Sequence, residues 1–202
     1  MEKGFVFLDE VLGGVRWDAK YATWDNFTGK PVDGYGVNRI VLSHAVAEAL
    51  LEARRTAAEL GFGLLVWDGY RPQRAVDRFM EWSALPEDGL TKARHYPNID
   101  RTEMFANGYL AARSSHSRGS AVDLTLYRLD TDELAPMGSG FDFMDDRSHH
   151  GAAGIAAVEA QNRRSLRSIM ERSGFEPYSR EWWHYALRDE PYPDRYFDFP
   201  IL

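Results

Sequence analysis

The chain has 202 residues, 44% of them hydrophobic and 13% aromatic, which supplies one sizeable core and excludes a largely disordered chain. Its 31 acidic residues outweigh 24 basic ones for a formal charge of -7, so polyanions are repelled and nucleic acid is not an expected partner. With no cysteine there is neither a disulfide frame nor a thiolate metal site, and any metal falls to six histidines and the carboxylates.

The start, Met1 to Gly4, has no basic segment leading into an apolar one, and Asp9 and Glu10 interrupt the short apolar run after it, so no export signal is expected. The longest apolar stretch, 61–67, is far shorter than the roughly 18 to 20 residues of a spanning helix. A soluble, cytoplasmic protein without a membrane partner is the expectation. Ser43 caps a helix running to about Leu60, with Val46, Ala49, Leu50, Ala53, Ala57 and Leu60 on one face and Gly61 at its stop. Phe62 to Trp67 suits a buried strand that ends at an Asp68-Gly69 turn. Pro72 fits a first helical turn, and Ala75 to Trp82 continues helical until Pro86.

Residues 90–112 read as mostly irregular. From Ser120 to Leu129, Val122, Leu124 and Leu126 alternate with Ala121, Asp123 and Thr125, which predicts a strand with Asp123 opposite the aliphatic face. Gly154 to Ser173 is an amphipathic helix stopped by Gly174, and Trp182 to Tyr185 is β-prone. Helices and strands that do not alternate as βαβ units predict a single α+β domain over 1–202 with a mostly antiparallel sheet.

Two constellations carry chemistry. In Ser114 to Asp123, a histidine in a Ser/Gly-rich loop precedes an acid on a strand by seven residues, and a bend could bring His116 and Asp123 to one metal. A surface histidine beside a turn, with Asp123 paired to an arginine, fits the same residues. In Glu181-Trp182-Trp183-His184, positions three apart on a regular strand point to opposite faces, so Glu181 shares a site with His184 only at the strand's start or on a bulge. Alone, this motif also reads as a buried aromatic strand. Together they offer His116, Asp123 and His184 as three ligands and Glu181 as a spare carboxylate, the inventory of a catalytic zinc site.

Ser-x-His-x-x-Gly-x-x-x-Asp at Ser114 to Asp123, followed by Glu-x-x-His at Glu181 to His184, resembles the D-alanyl-D-alanine dipeptidases of the VanX type, within the zinc D,D-peptidases of family M15. The likeness extends over 16–35, 67–72, 114–127, 141–150 and 181–193. It implies a central, mostly antiparallel sheet with flanking helices, shared with the Hedgehog signalling domain. It further implies one zinc on His116, Asp123 and His184, Glu181 as general base, and Arg71 on the scissile carbonyl with Asp68 orienting it. A fixed guanidinium aimed at developing negative charge is a strong electrostatic catalyst; an Arg71 that merely pairs with Asp68 is the plainer alternative.

A free dipeptide brings an ammonium and a carboxylate, for which Asp142 and Ser115 are the candidates by resemblance. Tyr21, Trp24 and Tyr35 are placed to wall off the site, with Asp68 and Tyr21 as further substrate-binding candidates. His44, His95, His149 and His150 are expected to be structural. The implied activity is hydrolysis of D-Ala-D-Ala, which contributes to glycopeptide resistance. A D,D-carboxypeptidase or endolysin would need export and an open cleft, and a non-catalytic Hedgehog-like module would need neither Glu181 nor Arg71. The partner is a small dipeptide, and a homo-oligomer stays open.

Overall fold

A computed structural model describes residues 2–202. The chain runs through β1 (Phe5–Phe7), α1 (Leu8–Val11), β2 (Arg16–Trp17), β3 (Val41–Ser43), α2 (His44–Glu59), β4 (Phe62–Asp68) and α3 (Gln73–Ser83). It continues through α4 (Lys92–His95), β5 (Ala121–Arg128), α5 (Ala157–Arg172), β6 (Phe175–Pro177) and β7 (His184–Leu187). Five strands form one sheet in the order β2-β4-β5-β7-β6, antiparallel except where β2 meets β4, while β1 and β3 form a separate antiparallel pair. With α2 and α5 touching each other and packing on the large sheet, the architecture is the expected α+β arrangement.

Local sequence explains most boundaries. Ser43 Oγ accepts the Val46 N–H at 3.3 Å and donates to Gly119 O at 2.6 Å, so the α2 cap is also tied to the loop before β5. Pro72 stands just ahead of α3 rather than inside its first turn. The fifth helix begins at Ala157, three residues later than the sequence suggests, because Gly154 adopts a left-handed φ of 75° and Glu159 accepts the Ala156 N–H at 2.7 Å. Residues 90–112 are mostly irregular, broken by α4 and a 3₁₀ turn at Arg101–Glu103. β1, β2 and β3 have three residues or fewer, too short for a period-two pattern to stand out.

β5 is the centre of the fold. Leu124 and Leu126 lie opposite Val66 and Leu64 of β4, and both faces of the strand are buried from Ala121 to Tyr127. A bulge in β4 makes Trp67 the extra residue, so that Val66 faces Leu124 and Asp68 faces Asp123. Asp123 in turn lies opposite His184 of β7. Three polar residues from three strands therefore form one transverse row.

Directly after β4, Gly69 passes against β3. A Cβ there would lie 2.5 Å from Val41 O and within 2.9 Å of Ile40 and Leu42 side-chain carbons. The Gly69→Ala protein should unfold with a loss of roughly 1–3 kcal/mol, as overpacking against backbone commonly costs. Denaturant titration showing no loss would contradict this packing.

Candidate active site

The row Asp68–Asp123–His184 meets His116 where the loop before β5 turns back on itself. Gly119 N–H reaches His116 O at 3.0 Å and Ser120 N–H reaches Ser115 O at 3.1 Å, closing the turn. Gly119 has φ 67°, and a Cβ there would strike the Phe5 ring at 2.5 Å, so the turn requires glycine. His116 Nδ1 donates to Gly69 O at 2.7 Å, which fixes the tautomer and leaves a lone pair on Nε2 of the neutral ring.

That lone pair points into a cluster of acceptors. His116 Nε2 lies 3.1 Å from His184 Nδ1 and 3.2 Å from Asp123 Oδ2, and His184 Nδ1 lies 3.0 Å from Asp123 Oδ1. In the neutral forms at most one hydrogen, on His184 Nδ1, is available to these facing atoms, so a cation is the group that satisfies them together. The separations fit zinc: ligand bonds of about 2.0–2.1 Å in a tetrahedron give edges of about 3.3 Å. Among the described residues this is the only group of three or more His, Asp or Glu residues with such convergent atoms. Ser115 Oγ faces the other His184 nitrogen at 3.4 Å and can hold that ring in turn.

Arg71 reaches the cluster from the turn between β4 and α3. Its Nε donates to Asp68 Oδ2 at 2.9 Å and its terminal nitrogen to Asp123 Oδ2 at 3.3 Å, while the guanidinium carbon lies 4.9 Å from the centre of the Tyr21 ring. Burial disfavours its charge, but Tyr21, Asp68, Tyr35 and Asp123 around it keep it protonated. Burial likewise works against the Asp123 carboxylate, yet the charges and hydrogen bonds of His116 and His184 hold its pKa well below the usual range. Burial lowers His184 despite Asp123 beside it, which favours the neutral ring, the form able to ligate a metal.

Two further carboxyl groups enclose the site. Glu181 sits just before β7, its Oε2 4.0 Å from His184 Nδ1; burial first, then Asp123 and Asp142, push its pKa well up. Asp142 accepts from Tyr21 O–H at 2.9 Å and is pushed up to about 8 by burial and by Asp123. A bound dication would lower both. The segment carrying Asp142 is pinned from behind by buried Arg163, which donates to Met137 O at 2.5 Å, His149 O at 2.8 Å and Arg147 O at 2.9 Å. Trp182 ties the Glu181 turn to the same segment through Nε1 to Ser139 Oγ at 2.9 Å and N–H to Ser148 O at 3.0 Å.

A cavity of about 270 Å³ opens on these groups and is lined by Tyr21, Arg71, Ser115, His116, Asp123, Asp142, Glu181 and His184. Asp68 is not in its wall. It is buried behind Arg71, between that guanidinium and Tyr35 O–H at 2.7 Å, so it orients the arginine and has no face toward a ligand. Of the aromatic residues expected to wall the site, only Tyr21 does: Trp24 is 70% exposed and Tyr35 lies behind Asp68. Their positions in an irregular segment carry no periodicity from which a direction can be read.

Other lining residues are not singled out by sequence, among them Phe27, Phe79, Tyr109, Arg113, Ser114 and Tyr178. Ser114 lies inside the histidine motif, and Val76 and Phe79 share one face of α3 at helical spacing. Tyr109 and Arg113 fall in the irregular stretch and leave no such signal. His95 is buried with Nδ1 3.2 Å from Asp142 O and supports the Asp142 turn. His149 contacts Tyr109 O–H at 3.2 Å, His150 packs edge-on to Tyr185, His44 is exposed at the start of α2, and none of the three lines the cavity.

A metal-sized acceptor cluster on an α+β sheet, enclosed with a free carboxyl on one side and a fixed guanidinium on the other, is the design of a metallopeptidase. The family described as D-ala-D-ala dipeptidase, peptidase M15, matches residues 1–202. Proteins called D-alanyl-D-alanine dipeptidase in Enterococcus faecium, Enterococcus faecalis and Streptomyces coelicolor are 73%, 69% and 66% identical to this chain over 201 residues, covering 100% of each. Among solved structures, VanYB in complex with D-Alanine-D-Alanine aligns with a TM-score of 0.45 at 20% identity, covering 74% of this chain and 73% of that one. The chain belongs to the D-ala-D-ala dipeptidase family of the M15 peptidases.

Purified protein should carry one zinc per chain by elemental analysis, and His116→Ala should lose it while remaining folded by circular dichroism. Because burial lowers His184, protons should displace the metal only below about pH 6.5, the ordinary histidine value. Release with a midpoint well above that value would contradict a site built on two neutral imidazoles.

Proposed function

We propose that the chain is a zinc-dependent dipeptidase that hydrolyses free D-Ala-D-Ala to two alanines, and that it acts in the cytoplasm, where it removes the cell-wall precursor whose terminus glycopeptide antibiotics bind. The names of relatives at 66–73% identity support the reaction. The observation that carries the reading is the convergence of Arg71, Glu181 and Asp142 on the His116–Asp123–His184 cluster within one small cavity. On this reading residues 1–202 act as one catalytic domain.

His116, Asp123 and His184 would hold the zinc. When bound, zinc supplies a Lewis acid that polarises a carbonyl and makes water acidic near neutral pH. Glu181 takes the proton of the attacking water and returns it to the leaving amine, a role that suits a carboxyl whose burial has raised its proton affinity. Arg71, fixed by Asp68, donates to the oxygen that gains negative charge as the tetrahedral carbon forms. Asp142, backed by Tyr21, pairs with the substrate ammonium, and Ser115 with Ser114 offers hydroxyl donors to its carboxylate. Tyr21, Phe27 and Phe79 close the cavity and strengthen each of these interactions by excluding water.

Glu181→Gln should retain zinc and fold yet lose about 100- to 10,000-fold in kcat, the range for a general acid–base group. Arg71→Ala should lose about 100- to 1000-fold in kcat with a smaller change in KM, since the oxyanion carries more charge than the ground-state carbonyl. Loss of zinc from Glu181→Gln would make Glu181 a ligand instead.

Substrate choice tests the reading as a whole. D-Ala-D-Ala should be cleaved efficiently, whereas N-acetyl-D-Ala-D-Ala, L-Ala-L-Ala and a stem pentapeptide should show far lower kcat/KM. An acylated amine brings Asp142 no cation, and the loss of that buried charge pair outweighs the roughly 1–3 kcal/mol that a methyl group can discriminate. Efficient cleavage of the acetylated dipeptide or the pentapeptide would reassign the enzyme as a D,D-carboxypeptidase.

A further inference from the structure

We infer that residues 197–201 form a positioning strap for Arg71, acting through Tyr35 and Asp68. This rests on the role given to Arg71 above. The strap runs behind the site and contributes no residue to the cavity wall. It grips the chain on both sides of Arg71: Phe199 stacks on Tyr70 with ring centres 4.1 Å apart and accepts the Tyr70 O–H at 3.0 Å, while Gln73 N–H donates to Phe197 O at 3.0 Å. Asp198 accepts from the Arg74 N–H and Nε at 2.8 and 2.9 Å. Phe197 N–H also donates to Ser117 O at 2.8 Å, which couples the strap to the residue after His116.

Its far end reaches the second layer behind the guanidinium. Ile201 pairs with Tyr35 as a parallel bridge, donating to Gly34 O and accepting from Gly36 N–H, each at 2.8 Å. Tyr35 thereby presents its hydroxyl to Asp68 Oδ1 at 2.7 Å, and the other carboxylate oxygen takes the Arg71 Nε at 2.9 Å. Asp68 is buried, so it finds no water to replace a lost donor. Without the Tyr35 hydroxyl, Oδ1 loses its donor and the carboxylate is held through Oδ2 by the arginine alone, so the arginine loses the fixed partner that sets its direction. Packing alone would not require this chain of donors, since a phenylalanine fills the same volume.

The experiment uses the zinc-loaded protein, with Tyr35→Phe as the main variant and Gly36→Ala, whose Cβ would lie 3.0 Å from Ile201 O, as the variant that displaces the strap. Tyr35→Phe should retain one zinc and a near-native KM while kcat falls about tenfold, the effect of one hydrogen bond to a buried charge. In an Arg71→Ala background the same substitution should lower kcat less than twofold, because the group it positions is gone. Exchange of the Arg71 Nε–H, followed by nitrogen-15 NMR, should quicken in both Tyr35→Phe and Gly36→Ala. An equal fold-loss with and without Arg71, or an unchanged Nε–H exchange rate in either Tyr35→Phe or Gly36→Ala, would overturn the inference. Should the wild-type protein fail to hydrolyse D-Ala-D-Ala, the functional reading falls, and the exchange measurement alone still decides whether the strap positions Arg71.

Discussion

Asp68 and Asp123 stand opposite each other on adjacent strands, both buried, and everything around them answers the repulsion between them. Like charges directly opposite in a sheet destabilise the pair even in water, and burial removes the screening that would soften the effect. Arg71 meets one oxygen of each carboxylate, so a single guanidinium joins β4 to β5 across the row. The bulge at Trp67 is what aligns the two acids, and the close passage of Gly69 is what turns the chain sharply enough for Arg71 to fold back over them. The same turn presents Gly69 O to His116 Nδ1. One irregularity at the end of one strand therefore sets the direction of the guanidinium and the tautomer of His116.

The surroundings of this row divide into a rigid back and a closed front. Behind it, Tyr35 and the segment 197–201 hold Asp68 and the residues flanking Arg71. To one side, Arg163 has no carboxylate partner among the described residues but gives its hydrogens to three backbone carbonyls and to Ser139 Oγ. A buried cation satisfied by carbonyls organises a loop that has little regular structure of its own, and that loop delivers Asp142 in a left-handed conformation at φ 53°. Asp tolerates this region better than most residues, which permits the acid itself to occupy the turn.

Legibility in the sequence follows the length of each pattern. α2 and β5 have enough residues to show a period and β4 shows as a continuous apolar run, while Ser43 and Gly61 mark the ends of α2 by mechanisms that act locally. The candidate ligands are legible because the chain has no cysteine, and two of its six histidines, His116 and His184, stand in motifs with a carboxylate at fixed spacing. The alternation of side chains restricts Glu181 to the start of a strand or to a bulge, and it stands just ahead of β7. Hidden from view are contacts made by irregular backbone. Nothing in the types of Tyr35 and Trp24 distinguishes a phenol buried against Asp68 from an indole left in solvent, because only the long-range pairing of Tyr35 with Ile201 decides it. Asp68 reads wrongly as a ligand-facing group for the same reason, since its neighbour in the row, Asp123, is known only from the strand register.

On the proposed reading, charge balance accounts for selection of a free amine. Asp68, Asp123, Asp142 and Glu181 crowd around one guanidinium, and burial is the first cause raising Asp68, Asp142 and Glu181. A dication beside Arg71 matches three of the four charges and leaves one carboxyl in excess. That carboxyl can take a proton or a cation. At Asp142, held up to about 8, a substrate ammonium can replace the proton and return the carboxylate to its charged form within a low-dielectric pocket. Glu181, left charged once the ammonium is bound at Asp142, takes up a proton during the reaction. The two acids thus divide between binding and proton transfer according to which positive group reaches each, and an acylated amine brings no charge to the first of them.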